Sequence, residues 1–268
     1  MMKTIRLYNV LLAIVLLLNA CTGRKTPIAD VVAETDSIGY ELLKGGVQVT
    51  VSMDTIGFAD EVLVKSLAGW MAELMEIQLP ATYTSDFRQL PQLLVEAKFP
   101  ELKEETSAGP EDCYPSTTYT ADFKVVLSND TLVSYQGQIY WYVSSTAHPG
   151  GKLAGITFRK SDGHSIGDSL LLNTDTPAFR QLLRQGLISY LKQELEVDTE
   201  SDMNSFLNPD IGMDSLPMPR QSPYLTQEGI ALAYEEYEII AHVTPLIVIP
   251  YADARPYLTS AGWTKELK

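Results

Sequence analysis

Three histidines, two cysteines and 34 carboxylates hold whatever acid–base, metal-ligating or nucleophilic chemistry this chain offers. His148, His164 and His242 form no H-x-x-x-H pair and the cysteines no C-x-x-C pair, so a zinc site would have to converge from distant loops. Ordinary loop or hydrogen-bonded histidines account for all three. Asp198, Glu200 and Asp202 have the spacing that opens a calcium loop, but Met203 stands where that loop needs glycine and Pro209 where it needs glutamate. There is no G-x-S-x-G nucleophile elbow and no glycine-rich phosphate loop followed by lysine. No pair of carboxylates stands out for glycosidase-type chemistry. Catalysis therefore has no positive support, and neither a metal nor another cofactor is expected. What remains is an aromatic surface. Tyr140 and Tyr142 alternate with Trp141 just before a loop over residues 144–151 that contains His148. Tyrosine gives a large amphipathic area at low entropic cost, which suits protein or glycan contact, although such residues also pack beneath helices. Tyr140, Tyr142 and His148 are the candidate ligand-binding residues.

The N-terminus states an address. Lys3 and Arg6 precede an apolar run over residues 10–18, and Leu18-Asn19-Ala20-Cys21 follows. A basic segment, a short apolar core and small residues before a cut site describe an export signal. The run is about half the ~20 residues that a membrane-spanning helix needs. With cysteine directly after Leu-x-Ala, the segment resembles a bacterial lipoprotein signal. The resemblance implies acylation of Cys21, cleavage before it, and attachment to the cell envelope by palmitate-type chains. Each buried methylene is worth ~0.8 kcal/mol, so two or three chains hold a folded domain at a membrane. No acidic cluster follows Cys21, which favours a domain facing the periplasm. Removal of residues 1–20 leaves 18 basic side chains against 34 acidic ones, a net charge of −16. That surface repels polyphosphates, so nucleic acid is excluded as a partner, and cationic proteins are favoured. With Cys21 acylated, Cys113 has no partner, and its neighbours Glu111 and Asp112 disfavour the thiolate.

The elements that must position these residues are legible in part. Residues 21–45 read as a tether ending at Gly45-Gly46. From Val47 the valines at 47, 49 and 51 and Met53 alternate with polar residues, a strand of period two. Over residues 60–75 the spacing of Leu63, Leu67, Trp70, Met71 and Leu74 predicts a helix. Prolines at 80, 91, 100 and 110 leave room for one short helix near residues 90–97. Tyr119, Ala121, Phe123, Val125 and Leu127 alternate inward, Asn129-Asp130 turns the chain, and a return strand runs over residues 131–143. A strand over residues 153–159 ends at the Asp162-Gly163 turn. Thr176 followed by Pro177 starts a helix expected to bury Phe179, Leu182, Leu183, Leu187, Tyr190 and Leu191. A short helix over residues 201–207, a strand over 224–240 broken at 227–229, and a last strand over 246–249 complete the reading. Strands grouped apart from helices predict an α+β fold, an antiparallel sheet with helices packed on one face. The expected organisation is a signal over 1–20, the tether, an N-terminal subdomain over 46–113 and a C-terminal one over 114–268.

The order of the later motifs carries a second resemblance. Tyr142-Val143-Ser144-Ser145-Thr146-Ala147-His148-Pro149, Ile156-Thr157-Phe158 with Asp162-Gly163, Tyr224-Leu225-Thr226-Gln227-Glu228-Gly229-Ile230, Tyr234-Glu235-Glu236-Tyr237-Glu238-Ile239 and Ile249-Pro250-Tyr251 occur in sequence. Together they resemble the extracytoplasmic domain of unknown function shared by the lysozyme-sensing anti-sigma factor RsiV and the peptidoglycan deacetylase PdaC. That family has Gly-Gly-Ala-His where this chain has Ser145-Thr146-Ala147-His148, which puts the tight turn before His148 in question. The resemblance implies a ligand-binding domain, with lysozyme or peptidoglycan fragments as partners. Neither the sigma-binding segment and membrane span of RsiV nor the metal-binding deacetylase domain of PdaC is read in these residues, so neither role is expected. The leading expectation is a non-catalytic, lipid-anchored binding protein of the cell envelope. Two alternatives stand beside it: an envelope hydrolase or deacetylase using His148 with a nearby carboxylate or second histidine, and a structural accessory of an envelope complex.

Overall fold

The computed structural model describes residues 36–55, 61–103 and 115–259. The signal, Cys21 and Cys113 lie outside those residues. The alternating valines make β2 (Val47–Thr55), whose inward residues Val47, Val49, Val51 and Met53 are buried. It pairs antiparallel with β1 (Asp36–Lys44) through a two-residue turn in which Gly45 and Gly46 have φ of 58° and 76°. Two successive positive φ values define the hairpin turn that follows strand twist, and glycine adopts them without steric cost. β1 lies within the segment read as a tether, so that reading is corrected from Asp36 onward. Its signal was a half-buried alternation of Ile38, Tyr40 and Leu42, faint because the other positions of this edge strand face water.

The main sheet continues with β3 (Thr117–Ser128), β4 (Leu132–Val143) and β5 (Gly150–Arg159), in the order β1-β2-β3-β4-β5. The fold is α+β, as expected, but β2 and β3 run parallel. A parallel pair needs a long crossover, and here it carries helices α1 (Glu61–Leu74) and α2 (Gln89–Lys98). The crossover lays both helices on one face of the sheet. Leu63, Leu67, Met71 and Met75 meet Val49, Phe123, Tyr135 and Ile139 there in a first core, which draws on residues on both sides of Cys113. A bulge between Val125 and Leu127 breaks the register of β3, so Leu127 leaves this core for a second one instead of following Tyr119, Ala121 and Phe123.

Helices α1 and α2 pack on one face of the main sheet, as expected. The opposite face of β4–β5 is covered by a second antiparallel sheet, β6 (Tyr224–Leu225), β7 (Gly229–Ala233) and β8 (Leu246–Pro250). Tyr224, Ala231 and Ala233 of this sheet pack with Leu153 of β5. Its other face, with Leu225, Ile230, Leu232, Ile247 and Ile249, packs against Phe179, Leu183, Leu187 and Leu191 of α3 (Pro177–Glu194). The layers run helix, sheet, sheet, helix. Thr176 caps α3 by accepting the Phe179 amide at 3.3 Å. Helix α4 (Glu200–Phe206) is capped by Thr199, which accepts the Asp202 amide at 3.2 Å, so the acidic run there builds a helix start. The strand expected to reach residue 240 stops at Ala233. Glu238 turns the chain instead, its carboxylate accepting the amides of Glu235 and Arg220, both at 2.9 Å.

Candidate functional site

β5 is the last strand of the main sheet among the described residues, and its outer edge borders a cleft. The register of β4 with β5 is regular from Trp141↔Gly150 to Leu132↔Arg159, so alternate residues of β5 turn their amide and carbonyl groups away from β4. The outward set is fixed by its bonds at both ends. At one end the Gly151 amide donates to Glu236 Oε2 at 3.1 Å. At the other, the Thr157 carbonyl accepts from the Ile166 amide at 3.0 Å and the Arg159 amide donates to the His164 carbonyl at 2.9 Å. Leu153 and Gly155 belong to the same set. Among the described residues, no hydrogen bond reaches their outward backbone groups.

The cleft along this edge encloses about 560 Å³. Trp70, Glu73 and Leu74 of α1 form one wall; Pro223, Glu235, Glu236 and Tyr237, from the segments flanking β6 and β7, form the other. Small residues make the approach possible. A side chain at Gly150 would meet the Trp141 ring at 2.2 Å, and one at Gly155 the Tyr224 ring at 2.3 Å. Trp141 also lines a neighbouring recess of about 370 Å³ over Phe99, Tyr119 and Ile139. Glu76 guards that recess, bonded to Lys98 at 2.8 Å and paired with Lys152. The two lysines, Lys152 first, hold the Glu76 carboxyl at about 2, well below its ordinary 4.5.

Next to Glu236 and Tyr237 of the cleft wall lie two histidines that the sequence kept far apart. The His148 ring lies 4.3 Å from the His242 ring, centroid to centroid. Tyr237 Oη is 2.5 Å from His242 Nδ1, and Glu236 Oε1 is 3.9 Å from the same nitrogen. Tyr237 and His242 both have left-handed backbones, with φ of 66° and 58°. Such conformations cost on the order of 1–2 kcal/mol for residues other than glycine and cluster at functional sites. The turn before His148 needs no glycine. Thr146 Oγ1 donates to the Val143 carbonyl at 2.7 Å and to the His148 carbonyl at 3.1 Å, and neither Ser145 nor Thr146 has a positive φ.

His148 thus gains a second histidine, with a tyrosine and a carboxylate behind it. This is a set able to hold or relay a proton, but the two rings are tilted 44° to each other and, among the described residues, neither is hydrogen-bonded to a serine or cysteine. Among the described residues, no three His, Cys, Asp or Glu side chains are placed to hold a metal ion. Tyr140 and Tyr142 lie on the side of β4 opposite Trp141, Tyr140 being 42% exposed, and neither lines the cleft. His164 sits in the turn after β5, its amide bonded to Asp162 Oδ1. Sequence reasoning missed Glu236, His242 and the open edge, because each depends on which strand ends the sheet. The glycines at 150, 151 and 155 were the available sign that something approaches this strand closely.

No family model matches this chain, and no curated protein matches it significantly. Solved structures do. A DUF3298 family protein from Pseudomonas aeruginosa has a TM-score of 0.54 and 17% identity over 87% of this chain and 95% of that one. A DUF3298 family member from Bacteroides fragilis has a TM-score of 0.57 and 18% identity over 88% and 97%. At these identities the likeness is one of fold: the chain has the fold of DUF3298 domains.

Proposed function

We propose that this chain is a lipid-anchored protein of the bacterial cell envelope whose domain binds a ligand without transforming it, the ligand being a cationic muralytic enzyme of the lysozyme kind. Cys21 carries the anchor, and the domain faces the periplasm. The observation that carries the reading is the cleft along β5, which combines the carboxylates of Glu73, Glu235 and Glu236 with the rings of Trp70 and Tyr237. Aromatic anchors beside acids suit a basic protein surface. The net charge of −16 without residues 1–20 adds long-range attraction of the same sign. Tyr140, Tyr142 and His148 extend the contact region beyond the cleft. The test is binding of purified chain to lysozyme at low salt and again at about physiological ionic strength, where the Debye length is ~8 Å. Affinity that survives salt and falls on Tyr140→Ala or Tyr142→Ala supports a specific binder. Affinity lost with salt removes lysozyme as the ligand and leaves cell-wall glycan, for which muropeptide titration is the corresponding assay. Anchoring is tested separately: Cys21→Ser abolishes labelling by palmitate and releases the protein from membranes.

A second reading rests on one observation, the ring contact of His148 with His242 beside Glu236 and Tyr237. It makes the domain an envelope hydrolase or deacetylase with a histidine as its proton carrier. Release of acetate or reducing ends from peptidoglycan, abolished by His148→Ala and His242→Ala, supports it; turnover unaffected by either substitution removes it.

A further inference from the structure

We propose that the edge of β5 is a strand-addition site, which takes an extended cationic peptide segment of the ligand as a sixth strand of the main sheet. The proposal rests on the ligand-binding reading above and names how the ligand is held.

An edge strand presents a row of unpaired amides and carbonyls, and proteins ordinarily cover, bend or charge it. Here, among the described residues, the row is closed at both ends and open between them. Glu236 takes the Gly151 amide, and the turn through Gly163 takes Thr157 and Arg159. The open stretch offers the Gly151 carbonyl, both backbone groups of Leu153 and Gly155, and the Thr157 amide, a donor–acceptor pattern that an added strand matches at ~3.3 Å per residue. Two walls rise on either side of this row, so the edge forms the floor of a groove and not a bare surface.

The walls define the guest. Side chains of an added strand alternate between the two faces of the sheet. On the helix side they meet Trp70 and Leu74, and on the other side Glu235 and Glu236. Glu73 adds a third carboxylate at the rim, and the groove's Lys152 is already paired with Glu76. The complement is a segment that alternates apolar and cationic residues. Backbone pairing supplies affinity, and this alternation supplies choice.

The test uses the full chain, 15N-labelled, and the blocked hexapeptide Lys-Val-Lys-Val-Lys-Val. Two variants of the peptide carry N-methyl groups on the three lysines or on the three valines, which removes one alternating set of amide donors at a time. Binding should weaken about tenfold or more for one methylated peptide and stay within about twofold for the other, the equivalent of losing one or two backbone hydrogen bonds in only one set. On saturation, amide exchange at Leu153 and Gly155 should slow while that of Lys152 and Ala154, already paired with β4, stays constant. Glu235→Lys should weaken the parent peptide about tenfold. Binding indifferent to which set is methylated, or no protection at Leu153 and Gly155, overturns strand addition. So does failure of the peptide to bind while lysozyme still binds, and that result leaves the binding-protein reading intact. Alternation and protection with the peptide, together with no affinity for lysozyme, uphold the groove and remove lysozyme as its guest.

Discussion

The carboxylate of Glu236 accepts the amide proton of Gly151 at 3.1 Å, across 85 residues of chain, and so ties the turn after β7 to the first outward amide of β5. That amide is partly buried and, among the described residues, has no other acceptor. Glu236→Ala should lower stability by about 1–2 kcal/mol, because it strands a donor, whereas Glu236→Gln keeps an acceptor and should cost less than about 1 kcal/mol. Urea unfolding of the two variants distinguishes them. Equal losses would mean that the charge, not the hydrogen bond, is what matters.

Gly155 and Tyr224 form a second contact between the two sheets. The Tyr224 ring lies where a Gly155 side chain would project, and its hydroxyl donates to Gln136 Oε1 at 2.9 Å. Both residues are buried, so Gly155→Ala should cost about 2–3 kcal/mol by overpacking. Tyr224→Ala should cost about 3–5 kcal/mol by opening a cavity. Since the new methyl group falls into that cavity, the double variant should be clearly less destabilised than the sum of the two. A double-mutant cycle by thermal unfolding reads this, and strict additivity would place the clash elsewhere.

Glu76 ends α1 in a left-handed conformation, φ 57°, that ordinarily belongs to glycine. The Ile77 amide returns to the Ala72 carbonyl and the Glu76 amide to the Glu73 carbonyl, the double bond of a Schellman cap. Its side chain holds Lys152 and Lys98, which keep its carboxyl at about 2. A lowered carboxyl pKa means stabilisation that is complete above the ordinary 4.5 and is lost as pH falls from there towards 2. The side chain is 58% exposed, so the contribution is below about 1 kcal/mol. Glu76→Gln should remove that part of the acid dependence. Glu76→Gly should relieve about 1 kcal/mol of backbone strain and lose the pairs, ending close to the parent in stability above pH 4.5. Urea midpoints on either side of pH 4.5 check both. A Glu76→Gly protein much less stable than the parent above pH 4.5 would show that the ion pairs outweigh the strain.

Three buried tyrosines in the C-terminal half set the alkaline limit. Tyr224, Tyr234 and Tyr251 donate to Gln136 Oε1, the Pro217 carbonyl and the Thr226 carbonyl, at 2.9, 2.7 and 2.6 Å. Burial pushes each hydroxyl well above its ordinary 10.0. A raised pKa means stability that is complete below pH 10.0 and is lost as pH rises beyond it, because the unfolded chain gives up these protons first. Their tyrosinate absorbance should therefore rise together with the loss of circular dichroism. Tyr234→Phe should make the alkaline transition shallower while costing about 1 kcal/mol near neutrality. Ionisation of these tyrosines in a fully folded protein would contradict the burial account.

The local signals were strong where one side chain decides a local outcome. Val47, Val49, Val51 and Met53 announce a strand because each is buried on the same face. Thr176 and Pro177 announce a helix because a cap and a fixed φ act within one turn. Asn129 announces its turn because its Oδ1 accepts the amides of Thr131 and Leu132 at 3.0 and 2.8 Å. β1 was hidden because an edge strand buries little, and the bulge at Val125–Leu127 because it leaves the alternation of residue types unchanged.

By itself the sequence determined most element types and bounds, the α+β class and the acidic character of the chain. Those follow from side-chain period and charge, which are properties of short segments. Tertiary structure alone decided that β2 and β3 run parallel, that a second sheet intervenes before α3, and that β5 ends the main sheet with Leu153 and Gly155 facing a cleft. It also decided that His148 meets His242. Strand order and loop convergence depend on which apolar faces find each other across tens of residues. No local pattern encodes that choice, because the same alternating strand is equally satisfied at the centre of a sheet or near its edge.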